Sequence, residues 1–274
     1  MKKIVTLLLL GITTMLFAQI PYGSNNGKYL KINDINIYYE EYGQGEPLLF
    51  LHGGMGSVED LKQVIPLLAK RFHVIVPDQP GHGRSDFPDS LSYQLMADYE
   101  LKLLTQLKLD SVNVLGWSDG GNTALLMAKK NPKLVKKIVV SGANYSTEAF
   151  DSGMLDEEKN FKDTIWVKNN MKDWIEKYQR LNPKSDWKCY MQEISKMWFE
   201  KVYFPKSDLE AITVPSMIVL GDRDMISLEQ GIEMYRAIPK SQFCVLPNTS
   251  HMVFWEKPEW ISQIATDFFE TKSP

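Results

Sequence analysis

Six residues, Gly116-Trp117-Ser118-Asp119-Gly120-Gly121, dictate more of the architecture than any other part of the chain. They follow the apolar run Val112 to Leu115 and precede a segment of helical periodicity, Asn122 to Lys130, which Asn131-Pro132 closes. A strand that gives way to a helix within so few residues must turn sharply. Glycines two residues to each side of Ser118 clear the space for that turn. The turn predicts a strand ending at a sheet edge and a helix folded back onto the sheet. A serine at its apex presents its hydroxyl beyond the C-terminal edge of the sheet, beside a helix N-terminus that favours negative charge.

The rest of the chain repeats the strand–helix alternation. Two strands are predicted within Tyr29 to Tyr42, broken at Asn33-Asp34, and another over Pro47 to Leu51, ending in His52-Gly53-Gly54. The spacing of Leu61, Val64, Ile65, Leu67 and Leu68 predicts a helix over Val58 to Arg71. Strands follow at Phe72 to Val76, Ile138 to Ser141, Met217 to Leu220 and Phe243 to Leu246, and a helix at Leu95 to Leu107. The pattern implies an α/β fold: a mostly parallel sheet, entered through an antiparallel segment, with helices on both faces. The alternation lapses between about Asn144 and Pro215. That stretch is rich in large rings, among them Phe161, Trp166, Trp174, Tyr178, Trp187, Tyr190, Trp198 and Tyr203. It must leave the sheet and return, so a helical cap is expected over about 145–214, inserted in a single domain that spans 19–274.

Composition narrows the function classes. A formal net charge of -3, with no Lys/Arg block, excludes a field that would gather nucleic acid. Lys2-Lys3 followed by the apolar stretch Ile4 to Phe17 and by Ala18-Gln19 reads as a signal peptide over residues 1–18. Fourteen helical residues would span about 21 Å, short of the hydrocarbon core, so no stable membrane insertion is expected after processing. A permanent N-terminal anchor is the competing reading. Export to the periplasm or the medium follows from the first reading. Cys189 and Cys244 could pair in such a compartment, although Cys244 sits in an apolar run and also reads as a buried small hydrophobe. Neither has a histidine at metal-ligand spacing, and no metal or cofactor is expected. The oligomeric state is not legible.

A serine hydroxyl becomes a nucleophile only when a base takes its proton. The chain has four histidines, His52, His73, His82 and His251. Only His251 follows Ser118, as the order nucleophile, acid, base requires on a strand–turn–helix serine. Gly221-Asp222-Arg223-Asp224 supplies two carboxylates after the strand Met217 to Leu220, either of which could orient the base. Oxyanion donors would be the backbone N–H of Asp119, at the helix start, and that of Gly54, with Met55 the next candidate. The Gly54-x-Gly56 loop is not a dinucleotide fingerprint, because Glu59 stands where a third glycine or alanine belongs. Asp78 and Arg84 are expected to tie a loop together beside the nucleophile turn.

Taken in order, the His52-Gly53-Gly54 loop, the Asp78-to-Ser85 loop, the Ser118 turn, the Gly221-to-Asp224 turn and the late His251 resemble the α/β-hydrolase superfamily from about Tyr29 onward. The Ser118 turn and the cap are similar to those of valacyclovir-hydrolase-like and enol-lactonase-like members. The resemblance implies Asp224 as the acid, with Asp222 second, and an acyl-enzyme route on a small-molecule ester without a cofactor. A lactonase or a cofactor-free perhydrolase would share these residues, and a ligand-binding protein on a hydrolase scaffold is the reading from another class. Met55, Trp117 and Asp119 are the expected substrate-binding residues. The Asp119 carboxylate would attract a substrate ammonium, or else be satisfied by nearby backbone N–H groups.

Overall fold

A computed structural model describes residue 23 and residues 26–271. The leader expected over residues 1–18 lies outside the described residues. Eight strands form one sheet in the order β1-β2-β4-β3-β5-β6-β7-β8. They are β1 (Lys28–Ile32), β2 (Ile35–Tyr42), β3 (Glu46–Leu51), β4 (Phe72–Pro77), β5 (Val112–Trp117), β6 (Val135–Ser141), β7 (Ser216–Arg223) and β8 (Ser241–Ser250). The β1–β2 and β2–β4 pairs are antiparallel and every other pair is parallel.

Side chains alternate across this sheet with the period of two that strand geometry imposes. Leu49 and Leu51 of β3 and Val112 and Val114 of β5 enter one apolar layer. It is covered by α2 (Tyr93–Gln106), α3 (Asp119–Lys130) and Met234 of α10 (Leu228–Ala237). Leu48 and Phe50 of β3 and Leu115 and Trp117 of β5 enter the opposite layer. That one is covered by α1 (Ile65–Leu68), α11 (Val253–Glu256) and α12 (Pro258–Glu270). Burial on both faces explains why the central strands read as unbroken apolar runs. Each fully buried Leu, Val or Phe contributes roughly 1.5–3 kcal/mol.

Two local differences from the sequence expectation have identifiable causes. The helix expected over Val58 to Arg71 is broken into a 3-10 turn at Val58–Leu61 and the short α1. Pro66, at the start of α1, has no N–H to continue a helix from the preceding turn, so the helix restarts there. Helix α2 begins ahead of Leu95 because the Ser92 side chain accepts the Leu95 N–H at 3.1 Å and caps it.

Between β6 and β7 the chain leaves the sheet. It forms α4 (Ser152–Asp156), α5 (Glu158–Lys162), α6 (Thr164–Asn170), α7 (Lys172–Leu181), α8 (Trp187–Trp198) and α9 (Lys206–Glu210) before returning. Strands β3 and β5 are neighbours, and the chain leaves β3 toward β4 and β5 toward β6, so these two connections run to opposite sides. This is a switch point, where open α/β sheets form a crevice at their carboxyl ends. Leu51 pairs with Gly116, and Trp117 with Ser141. The loops after β3, β5 and β6 therefore emerge together. Among the described residues no helix is long and apolar enough to cross a membrane.

Candidate active site

Ser118 stands at the β5–α3 junction with φ 53° and ψ -120°, a left-handed conformation rare for a residue with a side chain. The strain is held in place from both sides. The Ser118 N–H donates to the Ser141 carbonyl at 2.8 Å, and its own carbonyl accepts the N–H of Gly121 at 2.7 Å and of Asn122 at 3.0 Å. A Cβ at position 116 would lie 2.3 Å from the Gly120 carbonyl oxygen, so the turn closes only over glycine.

His251, just beyond β8, places Nε2 at 2.9 Å from the Ser118 Oγ and Nδ1 at 2.7 Å from Asp224 Oδ1. An imidazole donating from Nδ1 to the carboxylate presents a lone pair at Nε2 to the serine hydroxyl. The Asp224 carboxylate is fully buried and also accepts the Ile226 N–H at 3.0 Å. Asp222 faces outward and accepts the Thr249 N–H at 3.0 Å. Backbone N–H groups of Asn248 and Thr249 hold its carboxyl below the ordinary range. Of the two carboxylates in the turn, Asp224 meets the imidazole and Asp222 braces the loop that carries it. Trp117 supports the same loop, its Nε1 donating to the His251 carbonyl at 2.9 Å.

Neither Gly54 N–H nor Asp119 N–H has an acceptor among the described residues, and both residues line the cavity that Ser118 faces. Met55 is arranged differently. Its N–H donates to the Tyr190 hydroxyl at 2.8 Å and its carbonyl accepts from Trp174 Nε1 at 3.0 Å. Its N–H is thus spent, and the side chain is absent from the walls of the cavity. The expectation of Met55 as a substrate contact or second oxyanion donor does not fit this geometry, because α7 and α8 take up its backbone groups.

The cavity encloses about 170 Å³. Trp117 and Asp119 line it, as expected. Much of the wall is apolar: Phe161 and Trp198, two of the rings noted in the stretch expected to form the cap, together with Phe150 and Met154 from the same excursion, Met225 and Ile226 beside Asp224, and Met252 beside His251, which the sequence reading did not single out. The positions flanking Asp224 and His251 could have been found from their adjacency to the acid and the base. Tyr93 and Asn144, which also line the cavity, carried no such signal.

The Asp119 carboxylate is buried between two side-chain donors. Tyr93 Oη donates to Oδ1 at 2.8 Å and Trp198 Nε1 to Oδ2 at 2.7 Å. Burial nevertheless pushes its pKa up to about 6, against the pull of those two donors and of His251. Its partners are side chains, not the backbone N–H groups named in one of the two alternatives for it.

The remaining histidines and cysteines lie elsewhere. His52 is buried and its Nε2 accepts the Gln79 N–H at 3.0 Å. Burial pushes His82 down to about 3, and neither ring lines the cavity. Asp78 binds Arg84 Nη1 at 2.9 Å and accepts the Val58 N–H at 2.6 Å, tying its loop to the turn after β3. Cys189 is exposed on α8, Cys244 is half-buried on β8, and both are free thiols. Among the described residues no group of three or more His, Cys, Asp or Glu could hold a metal ion.

Comparison with known proteins bears on the fold. The family model for the alpha/beta hydrolase fold matches residues 46–164, from β3 through the Ser118 turn into the helical excursion. The chain belongs to the α/β-hydrolase superfamily. The serine hydrolase BPHL of Mus musculus is 25% identical to this α/β-hydrolase over 87% of this chain and 84% of its own. The meta-cleavage product hydrolase from Pseudomonas fluorescens IP01 superposes with a TM-score of 0.71 at 18% identity, over 89% of this chain and 97% of that one. The enol-lactonase from Burkholderia xenovorans LB400 superposes with a TM-score of 0.71 at 18% identity, over 89% of this α/β-hydrolase and 100% of that chain. These two structural likenesses concern the fold.

Proposed function

We propose that this chain, a hydrolase by its relatives, cleaves a carboxylic ester or related acyl bond of a small, partly apolar molecule through an acyl-enzyme. One observation carries the reading: the continuous chain from Asp224 through His251 to the hydroxyl of Ser118, at 2.7 and 2.9 Å. Ser118 Oγ attacks the substrate carbonyl as His251 Nε2 takes its proton, and Asp224 stabilises the imidazolium that forms. The carbonyl oxygen, now negative, is received by the N–H groups of Gly54 and Asp119. Collapse expels the alcohol, which leaves with the proton from His251. Water, activated by the same imidazole, then releases the acid and restores Ser118.

The cavity's size and lining bound the substrate. A space of about 170 Å³ is close to one that admits a benzene ring, so a single compact acyl or alcohol group fits. Both oxygens of Asp119 already accept hydrogen bonds, which favours an uncharged group over an α-amino one. The test is a fluorophosphonate probe followed by a panel of p-nitrophenyl esters. The panel varies acyl length and α-amino substitution and includes lactones. Wild type should be labelled at Ser118 and turn over short unsubstituted esters. Ser118→Ala should lose labelling and about 10⁶-fold in kcat. A wild type inert to the probe and to every ester would remove the enzymatic reading. A strong preference for α-amino esters would overturn the uncharged substrate.

A further inference from the structure

The turn that carries the oxyanion donor is not self-supporting. It runs from Gly53 to Gly56, closed by a 3.2 Å hydrogen bond from the Gly56 N–H to the Gly53 carbonyl. Within it Met55 has φ 59°, a left-handed conformation that an unbranched side chain adopts only at a cost. The Gly56–Gly53 hydrogen bond and His52 Nδ1, 2.7 Å from the Gly53 carbonyl oxygen, brace the start of the turn but do not reach the Met55 peptides. What restrains them comes from more than a hundred residues away.

Tyr190 of α8 accepts the Met55 N–H and so fixes the plane of the Gly54–Met55 peptide. Trp174 of α7 donates to the Met55 carbonyl and fixes the next peptide. The two rings are themselves immobilised. Trp174 stacks on Tyr178 at 5.2 Å, Tyr178 lies 5.0 Å from Tyr190, and Tyr190 is fully buried. On the other side of the turn, Gly54 is pressed against the Asp119–Trp198 pair. A Cβ at position 54 would stand 2.3 Å from Asp119 Oδ2 and 2.5 Å from the Trp198 ring. The turn is gripped from both sides by α7 and α8, and the sheet itself holds only its start.

The geometry points to Tyr190 and Trp174 as positioning residues that act through Met55 to aim the Gly54 N–H at the carbonyl oxygen attacked by Ser118. Docking of α7 and α8 onto the sheet and completion of the oxyanion site are then one event. The inference rests on the acyl-transfer reading above, since it assigns the Gly54 N–H a task.

Tyr190→Phe keeps the ring and removes only the acceptor of the Met55 N–H, and Trp174→Phe removes the donor to its carbonyl. Tyr178→Phe is the control, because that hydroxyl donates to the Gly81 carbonyl and never touches the turn. Each variant is assayed on a short p-nitrophenyl ester and with an aryl trifluoromethyl ketone. Ser118 adds to the ketone carbonyl, His251 takes the serine proton, and the resulting oxyanion needs the Gly54 N–H. For Tyr190→Phe, kcat should fall roughly 10- to 100-fold with KM within threefold, and ketone binding should weaken in step with kcat. Trp174→Phe should show the same split, more weakly, and serves where Tyr190→Phe fails to fold. Tyr178→Phe should match wild type. The proposal is overturned if the two turn-facing variants retain kcat and ketone affinity within twofold, or if Tyr178→Phe loses as much as they do. A wild type inert to both ester and ketone defeats the acyl-transfer reading first, and this inference with it.

Discussion

The rim of the sheet and the helices that roof it hold their functional side chains by different means. At the rim, Ser118, Asp224 and His251 follow strands β5, β7 and β8, whose parallel register delivers them to one edge. Their positions are set by backbone hydrogen bonding, and each lies within a residue or two of a strand end. In the roof, Trp174, Tyr190 and Trp198 sit on helices and reach the site through single side-chain hydrogen bonds to Met55 and Asp119. The difference separates roles. On the proposed reading the rim supplies the reacting atoms, and the roof supplies the conformation of the oxyanion turn and the walls of the cavity. Damage at the rim should abolish chemistry while leaving a folded protein. Damage in the roof should be graded and should show in stability as well.

That contrast is most sharply tested by two carboxylates of one turn. Asp224→Asn should lower kcat about 10⁴-fold with little change in melting temperature, since an amide facing Nδ1 favours the wrong tautomer of His251. Asp222→Asn, which touches only the backbone of the loop, should keep kcat within about threefold. Equal losses in the two variants would mean that the rim does not assign its acid by register.

A smaller effect is expected where rim and roof meet, at Asp119. The unfolded chain gives up this proton near pH 3.8, whereas the folded protein retains it to about 6. Between those values folding takes up a proton. Its stability therefore declines as pH rises, by about 1.4 kcal/mol per unit and roughly 3 kcal/mol in all, and levels off above pH 6. Stability curves of wild type and Asp119→Asn, measured between pH 4 and 7.5, should converge or cross in that window and run parallel above it. A pH-independent difference would show that Asp119 is charged throughout.

Trp198→Phe should have a milder consequence than the loss of the Asp119 charge. It keeps an aromatic wall and deletes one donor to a buried carboxylate, costing about 1.5–2 kcal/mol by chemical denaturation at pH 7.5. KM should rise a few-fold and kcat change by less than threefold. A loss of kcat comparable to that of Asp224→Asn would move Trp198 from the roof into the reacting machinery.

The same division decides what the sequence discloses. Ser118, His251 and the pair of acidic residues after β7 are legible because each ends an apolar run, and because only one histidine follows the serine. Register then places them, and register is a property of strands that short-range patterning reveals. Choosing Asp224 over Asp222 needed the resemblance to a family, since the two differ only in the direction they face. The roof is opaque for the opposite reason. Trp198 lies 79 residues from Asp119, and Tyr190 lies 135 from Met55. Their rings have no periodicity that distinguishes a ligand of the oxyanion turn from ordinary packing. The two donors to Asp119 are hidden for the same cause, because they come from α2 and α8, far from the turn it occupies. The helix expected over Val58 to Arg71 is interrupted more simply, by Pro66, which breaks the helix although the apolar spacing runs on through it.

The indole of Trp117 has a mechanical consequence. It sits one residue before the nucleophile and donates to the carbonyl of the base, so serine and imidazole are fastened to a common strut. A shift of the helices overhead would leave unchanged the gap between Ser118 and His251 that this strut sets. The distance over which the proposed proton transfer runs is therefore a property of the strand ends and not of the roof.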